Sequence, residues 1–107
     1  MTALRKGALD MCVLALLLDG ERYGVELVRE LSGVDGLETS EGTLYPLLSR
    51  LRRDGHVVTT WRESPTGPPR RYYALSPPGR RALRDFKDDW IRYRDAVDAL
   101  LGTGGNR

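Results

Sequence analysis

The amino-acid sequence predicts a mainly α-helical α+β fold with one small β-hairpin. Three observations carry that reading. Three stretches ahead of residue 56 read as helices, two of them with apolar residues in steps of three and four. The β-branched run 56–62 and the segment 70–75 flank a proline- and glycine-rich stretch, which is the pattern of a hairpin. A last helical stretch, much longer than the others, closes the chain.

The first helix is expected over Leu4 to Asp19. Its centre, Met11 to Leu18, is apolar on every side, so it belongs deep in a core or between subunits. Asp19-Gly20 ends it. The second, Tyr23 to Leu31, puts Tyr23, Leu27, Val28 and Leu31 on one stripe and faces Glu26, Arg29 and Glu30 outward. Gly24 at its start allows close packing or an unusual backbone angle. Ser32 to Gly36 is a loop. In the third helix Leu44, Leu47, Leu48 and Leu51 recur at helical spacing, and Gly55 is placed to end it beside Arg52 and Arg53, which suit the C-terminal dipole. Pro46 requires either a start near Gly42 or a kinked first turn. Ser40 and Thr43 can each serve as N-cap.

His56 to Arg62 then reads as a strand, Ser64 to Pro69 as the tip and Arg70 to Leu75 as the returning strand. Ser76 as N-cap and Pro77 in the first helical position open the last helix, which runs to about Leu101. Along it Leu83, Phe86, Trp90, Tyr93, Val97 and Leu100 form a heptad-like stripe, typical of packing against a partner helix. The rest of so small a chain has little surface to cover that stripe, so the partner is a second copy. Residues 1–75 are thus expected to form one domain, read below as a winged helix-turn-helix that binds DNA, with 76–101 a C-terminal dimerisation helix and 102–107 a flexible tail.

Composition bounds the function. The 107 residues suffice for one domain, and 40% hydrophobic with 30% charged content fits a globular protein. The longest apolar run falls far short of the ~20 residues that span a bilayer, and no signal-peptide pattern is present. With one cysteine, Cys12, and one histidine, His56, neither an internal disulfide nor a structural zinc site can form, and a reducing, cytoplasmic compartment is expected. No cofactor is expected. No nucleophile–base pair and no glycine-rich phosphate loop point to an enzyme. The net charge is only +2. The positives nevertheless cluster at Arg50, Arg52 and Arg53, at Arg70 and Arg71, and at Arg80, Arg81 and Arg84, a distribution suited to phosphates.

Helix, short helix, turn, helix and hairpin is the order of a winged helix-turn-helix. With its leucines buried, the third helix presents Thr43, Tyr45, Pro46, Ser49 and Arg50, groups able to touch base edges, thymine methyls and phosphates. Arg62, Arg70 and Arg71 on the hairpin can reach neighbouring phosphates or a minor groove. Plainer roles compete at several positions. Tyr45 could cover the core edge, Trp61 could pack the strand, and Trp90 could fill a dimer core. The rival function is a winged helix that binds protein instead of DNA. Such a module would expose an apolar patch on the third helix, where this chain has Tyr45, Ser49 and Arg50.

Three motifs, in order, sharpen the reading. They are Tyr23-Gly24-Val25-Glu26-Leu27, then Gly42-Thr43-Leu44-Tyr45-Pro46-Leu47-Leu48 with Asp54-Gly55-His56-Val57, and Gly67-Pro68-Pro69-Arg70-Arg71-Tyr72-Tyr73-Ala74-Leu75-Ser76. Over about Leu4 to Leu101 the chain resembles the PadR-like transcriptional regulators, in the short form with a single C-terminal dimerisation helix. Pro68 departs from the family, which often has a basic residue there. The resemblance implies a homodimeric repressor on double-stranded DNA, reading an inverted repeat often built from ATGT and ACAT. It also implies a responsive cleft between the subunits, in which Trp90 matches the aromatic residue that can stack on a planar aromatic or cationic effector.

Overall fold

The computed structural model describes the backbone of residues 3–103 and the side chains of residues 7–103, so the end of the expected tail, 104–107, lies outside the described residues. Helix α1 spans Ala3–Leu16 and tightens into a 3₁₀ turn over Leu17–Asp19, where one continuous helix is expected. Strand β1, Arg22–Tyr23, follows, and then helices α2, Gly24–Ser32, and α3, Glu41–Arg53. Strands β2, Val57–Ser64, and β3, Gly67–Leu75, form the hairpin, and α4 runs over Pro77–Leu101.

The sheet has three antiparallel strands in the order β1-β3-β2. β1 corrects the expectation that Tyr23 begins the second helix. Tyr23 instead pairs with Tyr72, Arg22 pairs with Tyr73, and Tyr23 then caps α2. Its backbone N–H donates to the Glu26 carboxylate at 3.1 Å, so the acid three residues on closes the turn. Two residues are too few for an alternating pattern, which is why the strand is silent in the sequence.

The hairpin is also longer than expected. Pro68 and Pro69 belong to β3, leaving Pro65 and Thr66 between the strands. They lie past the reach of β1, so at that level β3 pairs on one side only and a missing N–H is tolerated. The register slips between Arg62 and Ser64, a bulge that admits them.

Ser40 caps α3, its hydroxyl accepting from the Thr43 N–H at 3.3 Å, which decides between the two candidate caps. α3 therefore begins before Gly42, and Pro46 lies inside it on the solvent side, where the Gly42 carbonyl it cannot serve stays open to water. Gly55, at φ 79°, turns the chain out of the helix.

The core gathers Leu9, Val13 and Leu14 of α1, Leu27 and Leu31 of α2, the four leucines of α3, Val57 and Tyr73. It also includes Leu83, only 9% exposed, so this residue of the expected dimer stripe packs within its own chain. The start of α4 is locked to the end of α3. The Ser76 hydroxyl donates to the Gly55 carbonyl at 2.6 Å and accepts from the Gly79 N–H at 3.0 Å, while the Ser76 N–H donates to the His56 carbonyl at 3.1 Å. No helix among the described residues is long and apolar enough to cross a membrane.

Candidate nucleic-acid interface

The face of α3 opposite its buried leucines carries Tyr45, Pro46 and Ser49, all exposed, with Thr43 half-buried. Tyr45 is 39% exposed. Burial, the nearby Glu41 carboxylate, the Tyr73 phenol and a hydrogen bond to Glu41 all push its hydroxyl above the usual tyrosine range. It stays a neutral group that can donate as well as accept.

The wing is an interleaved set of arginines and aromatic rings. Cross-strand pairing places Trp61 opposite Arg71 and Arg62 opposite Arg70. The Arg71 guanidinium lies 4.9 Å from the Trp61 ring centre, Arg70 lies 4.5 Å from that of Tyr23, and Arg62 lies 5.0 Å from that of Tyr72. Stacking of this kind orders a long side chain while leaving its N–H groups free to donate. Arg62 is additionally paired with Glu21.

Between the wing and the starts of α2 and α3 runs a groove of about 750 Å³. Arg29, Arg70 and Arg71 line it together with Tyr23, Tyr45 and Trp61, and among the described residues no carboxylate does. Such a lining favours an extended, negatively charged ligand with flat groups. The structure thus brings Tyr45, Arg70 and Arg71 to one groove, while Thr43, Pro46 and Ser49 stay on the exposed flank of α3 outside it. Arg50 goes elsewhere. Its Nη2 donates to both carboxylate oxygens of Asp10 on α1, at 2.6 and 2.7 Å, so it ties α3 to α1.

A second groove, of about 680 Å³ and strongly apolar, lies between α1 and α4. Met11, Cys12, Ala15, Phe86 and Trp90 are among its lining residues. The Phe86 and Trp90 rings stack 6.0 Å apart at 12°, and Tyr93 tilts against Trp90 at 6.2 Å. Farther along α4, Tyr93 is 58% and Leu100 89% exposed, with Val97 half-buried. Ile91 and Leu101, outside the expected stripe, are exposed too.

The profile of the PadR-like family of transcriptional regulators matches residues 13–85. The chain belongs to the PadR-like family.

As a PadR-like regulator it falls in a class of transcription regulators and not of enzymes. It is 39% identical over 107 residues to the transcriptional regulator Rv3488 of Mycobacterium tuberculosis, covering 99% of this chain and 98% of that one. It is similar to the crystal structure of a PadR family regulator from Eggerthella lenta, with 37% identity, a TM-score of 0.82 and coverage of 94% and 88% of the two chains. A PadR-like regulator from Bacillus cereus gives 34% identity and a TM-score of 0.83, with coverage of 94% and 97%.

The PadR-like groove contains one arginine that sequence reasoning read only as an outward-facing charge, Arg29. Its exposed position on α2 was the available signal, but only the antiparallel pairing of β1 with β3 reveals that this side of α2 faces the wing. Among the described residues no cluster of His, Cys, Asp or Glu could hold a metal ion.

Proposed function

We propose that two copies of this PadR-like regulator bind one inverted-repeat operator and repress transcription. Each copy places α3 in a major groove and lays its wing along the adjoining backbone. A chromosomal target makes the site of action cytoplasmic. The observation that supports this reading is the groove beside the exposed face of α3, lined among the described residues by three arginines and no carboxylate. Tyr45, Thr43, Pro46 and Ser49 face the bases, while Arg29, Arg70 and Arg71 hold phosphates. Phe86, Trp90, Tyr93, Val97 and Leu100 pack against the partner, and the apolar groove beside Trp90 admits a planar aromatic or cationic effector. An effector relieves repression only by favouring a spacing of the reading helices that does not fit the operator.

Gel-shift titration of a duplex carrying ATGT and ACAT half-sites tests the DNA reading. Tyr45→Ala should weaken specific binding by roughly 1–3 kcal/mol. Arg70→Ala should weaken binding to every sequence and lower the salt slope by about one. If both variants bind as the parent does, the reading surface lies elsewhere. Titrating flat aromatic dyes while following tryptophan fluorescence, with Trp90→Ala as control, tests the effector site. Quenching that survives unchanged in Trp90→Ala rules it out.

A further inference from the structure

The second helix opens on a glycine that its backbone does not demand. Among the described residues the glycines with positive φ are Gly20, Gly36, Gly55 and Gly102, and Gly24 is not one of them. Its role is therefore spatial. Gly24 is buried, and a Cβ built on it would stand 2.5 Å from the Tyr45 hydroxyl oxygen, 2.6 Å from Cε1 and 2.7 Å from Cζ. The phenol end of Tyr45 lies against the bare backbone of α2, in a space that any side chain would fill.

What gives way on substitution follows from which atoms are in contact. At Gly79 a Cβ would stand 2.0 Å from the backbone oxygen of His56, in a locked junction that cannot yield. At Gly24 the contact is the far end of a side chain with two free torsions, in a groove open to solvent. There the ring swings aside and the fold remains.

We propose that Gly24 is a positioning residue for operator reading: by lacking a side chain it forms the slot that holds the Tyr45 phenol in one orientation on the reading face. The inference rests on the reading in which Tyr45 touches a base. An exposed tyrosine on a helix samples several rotamers and loses that freedom on binding, so a slot that fixes it beforehand favours the operator over unrelated DNA. Arg70 stacked on Tyr23, the residue just before Gly24, gives the same stretch of chain a second fixed group in the groove.

The test is a double-mutant cycle of Gly24→Ala and Tyr45→Ala in the full-length chain. The DNA is a duplex selected by the parent from a randomised pool, with poly(dI-dC) as the non-specific competitor. Thermal unfolding of every variant is followed in parallel. Tyr45→Ala should cut the specific-to-non-specific ratio by about five- to hundredfold. Gly24→Ala should cut it by about tenfold with the melting temperature unchanged or raised, since alanine suits a helix better than glycine. The double variant should bind as Tyr45→Ala alone does, because the slot has no purpose without the ring. A Gly24→Ala protein with parental specificity overturns the inference, as do losses that add in full or a fall of several degrees in its melting temperature. A Tyr45→Ala protein that keeps parental specificity overturns the base-reading assignment itself, which sets that failure apart from a failure of the slot.

Discussion

Asp10 and Arg50 show how one pair fixes the meaning of a charged residue. The pair is partly buried, with side chains 19% and 30% exposed, and it joins α1 to the back half of α3. Periodicity places Arg50 on the face of α3 away from its leucines, and nothing in the local spacing announces a partner forty residues earlier in the chain. Asp10→Asn decides whether the pair braces the helix or restrains a DNA contact. As a brace, its loss should destabilise the fold by about 1–2 kcal/mol, weaken operator binding and leave the salt slope unchanged. Tighter binding with a steeper salt slope would instead make Arg50 a phosphate contact that Asp10 holds back. Cys12 yields a second expectation. Burial raises its thiol above the usual cysteine range, so little thiolate exists at neutral pH. Iodoacetamide at pH 7.5 should alkylate it at least about tenfold more slowly than free cysteine, with the difference vanishing in denaturant. Tyr45 bears on pH from the alkaline side. Its folded-state pKa is raised, so its contribution is complete below the unfolded tyrosine range and lost as pH climbs through the folded value. Tyr45→Phe should flatten the decline in melting temperature above about pH 10 relative to the parent.

Among the elements, α4 shows most clearly how a junction is built. Ser76 was legible as an N-cap because a serine followed by proline before a long apolar stripe has few other uses. Its second bond, donated to the Gly55 carbonyl, was not, because it closes over twenty-one residues. Ser76→Ala should therefore cost more than an ordinary cap, about 2 kcal/mol by denaturant unfolding, since the bond to the Gly55 carbonyl is lost together with the cap. Gly79→Ala should cost at least as much, because a backbone oxygen blocks its Cβ. The wing was legible in its β-branched first strand and its Arg-Arg-Tyr-Tyr return. Pro68-Pro69 misled because proline usually marks a turn, and only the one-sided pairing of β3 at that level admits both residues.

At the scale of the whole molecule, 52 × 27 × 22 Å, the long dimension comes with a helix whose outer half is mostly exposed among the described residues. Of the stripe read from spacing, Leu83 closes the chain's own core, while Ile91 and Leu101, outside it, are exposed. Which residues a stripe gives to its own chain depends on where α1 ends and on the angle at which α4 leaves the junction, and no spacing encodes either. Val97→Asp should turn a dimer into a monomer in light scattering, or raise its dissociation constant at least about a hundredfold, while the far-UV spectrum stays helical. A parent chain that scatters as a monomer at micromolar concentration would remove the assembly reading altogether.

The bonds at Ser76 and the close approach at Gly79 carry a mechanical consequence. They fasten the base of α4 to the end of α3, so the junction carries a long arm. Twenty-five residues of helix extend about 37 Å from that junction. A tilt of about 5° about the base moves the far tip by roughly 3 Å, about a side-chain contact's width. Run in reverse, a push near the tip acts on a long arm and so with high torque, but a displacement of roughly 3 Å there turns the base by only about 5°.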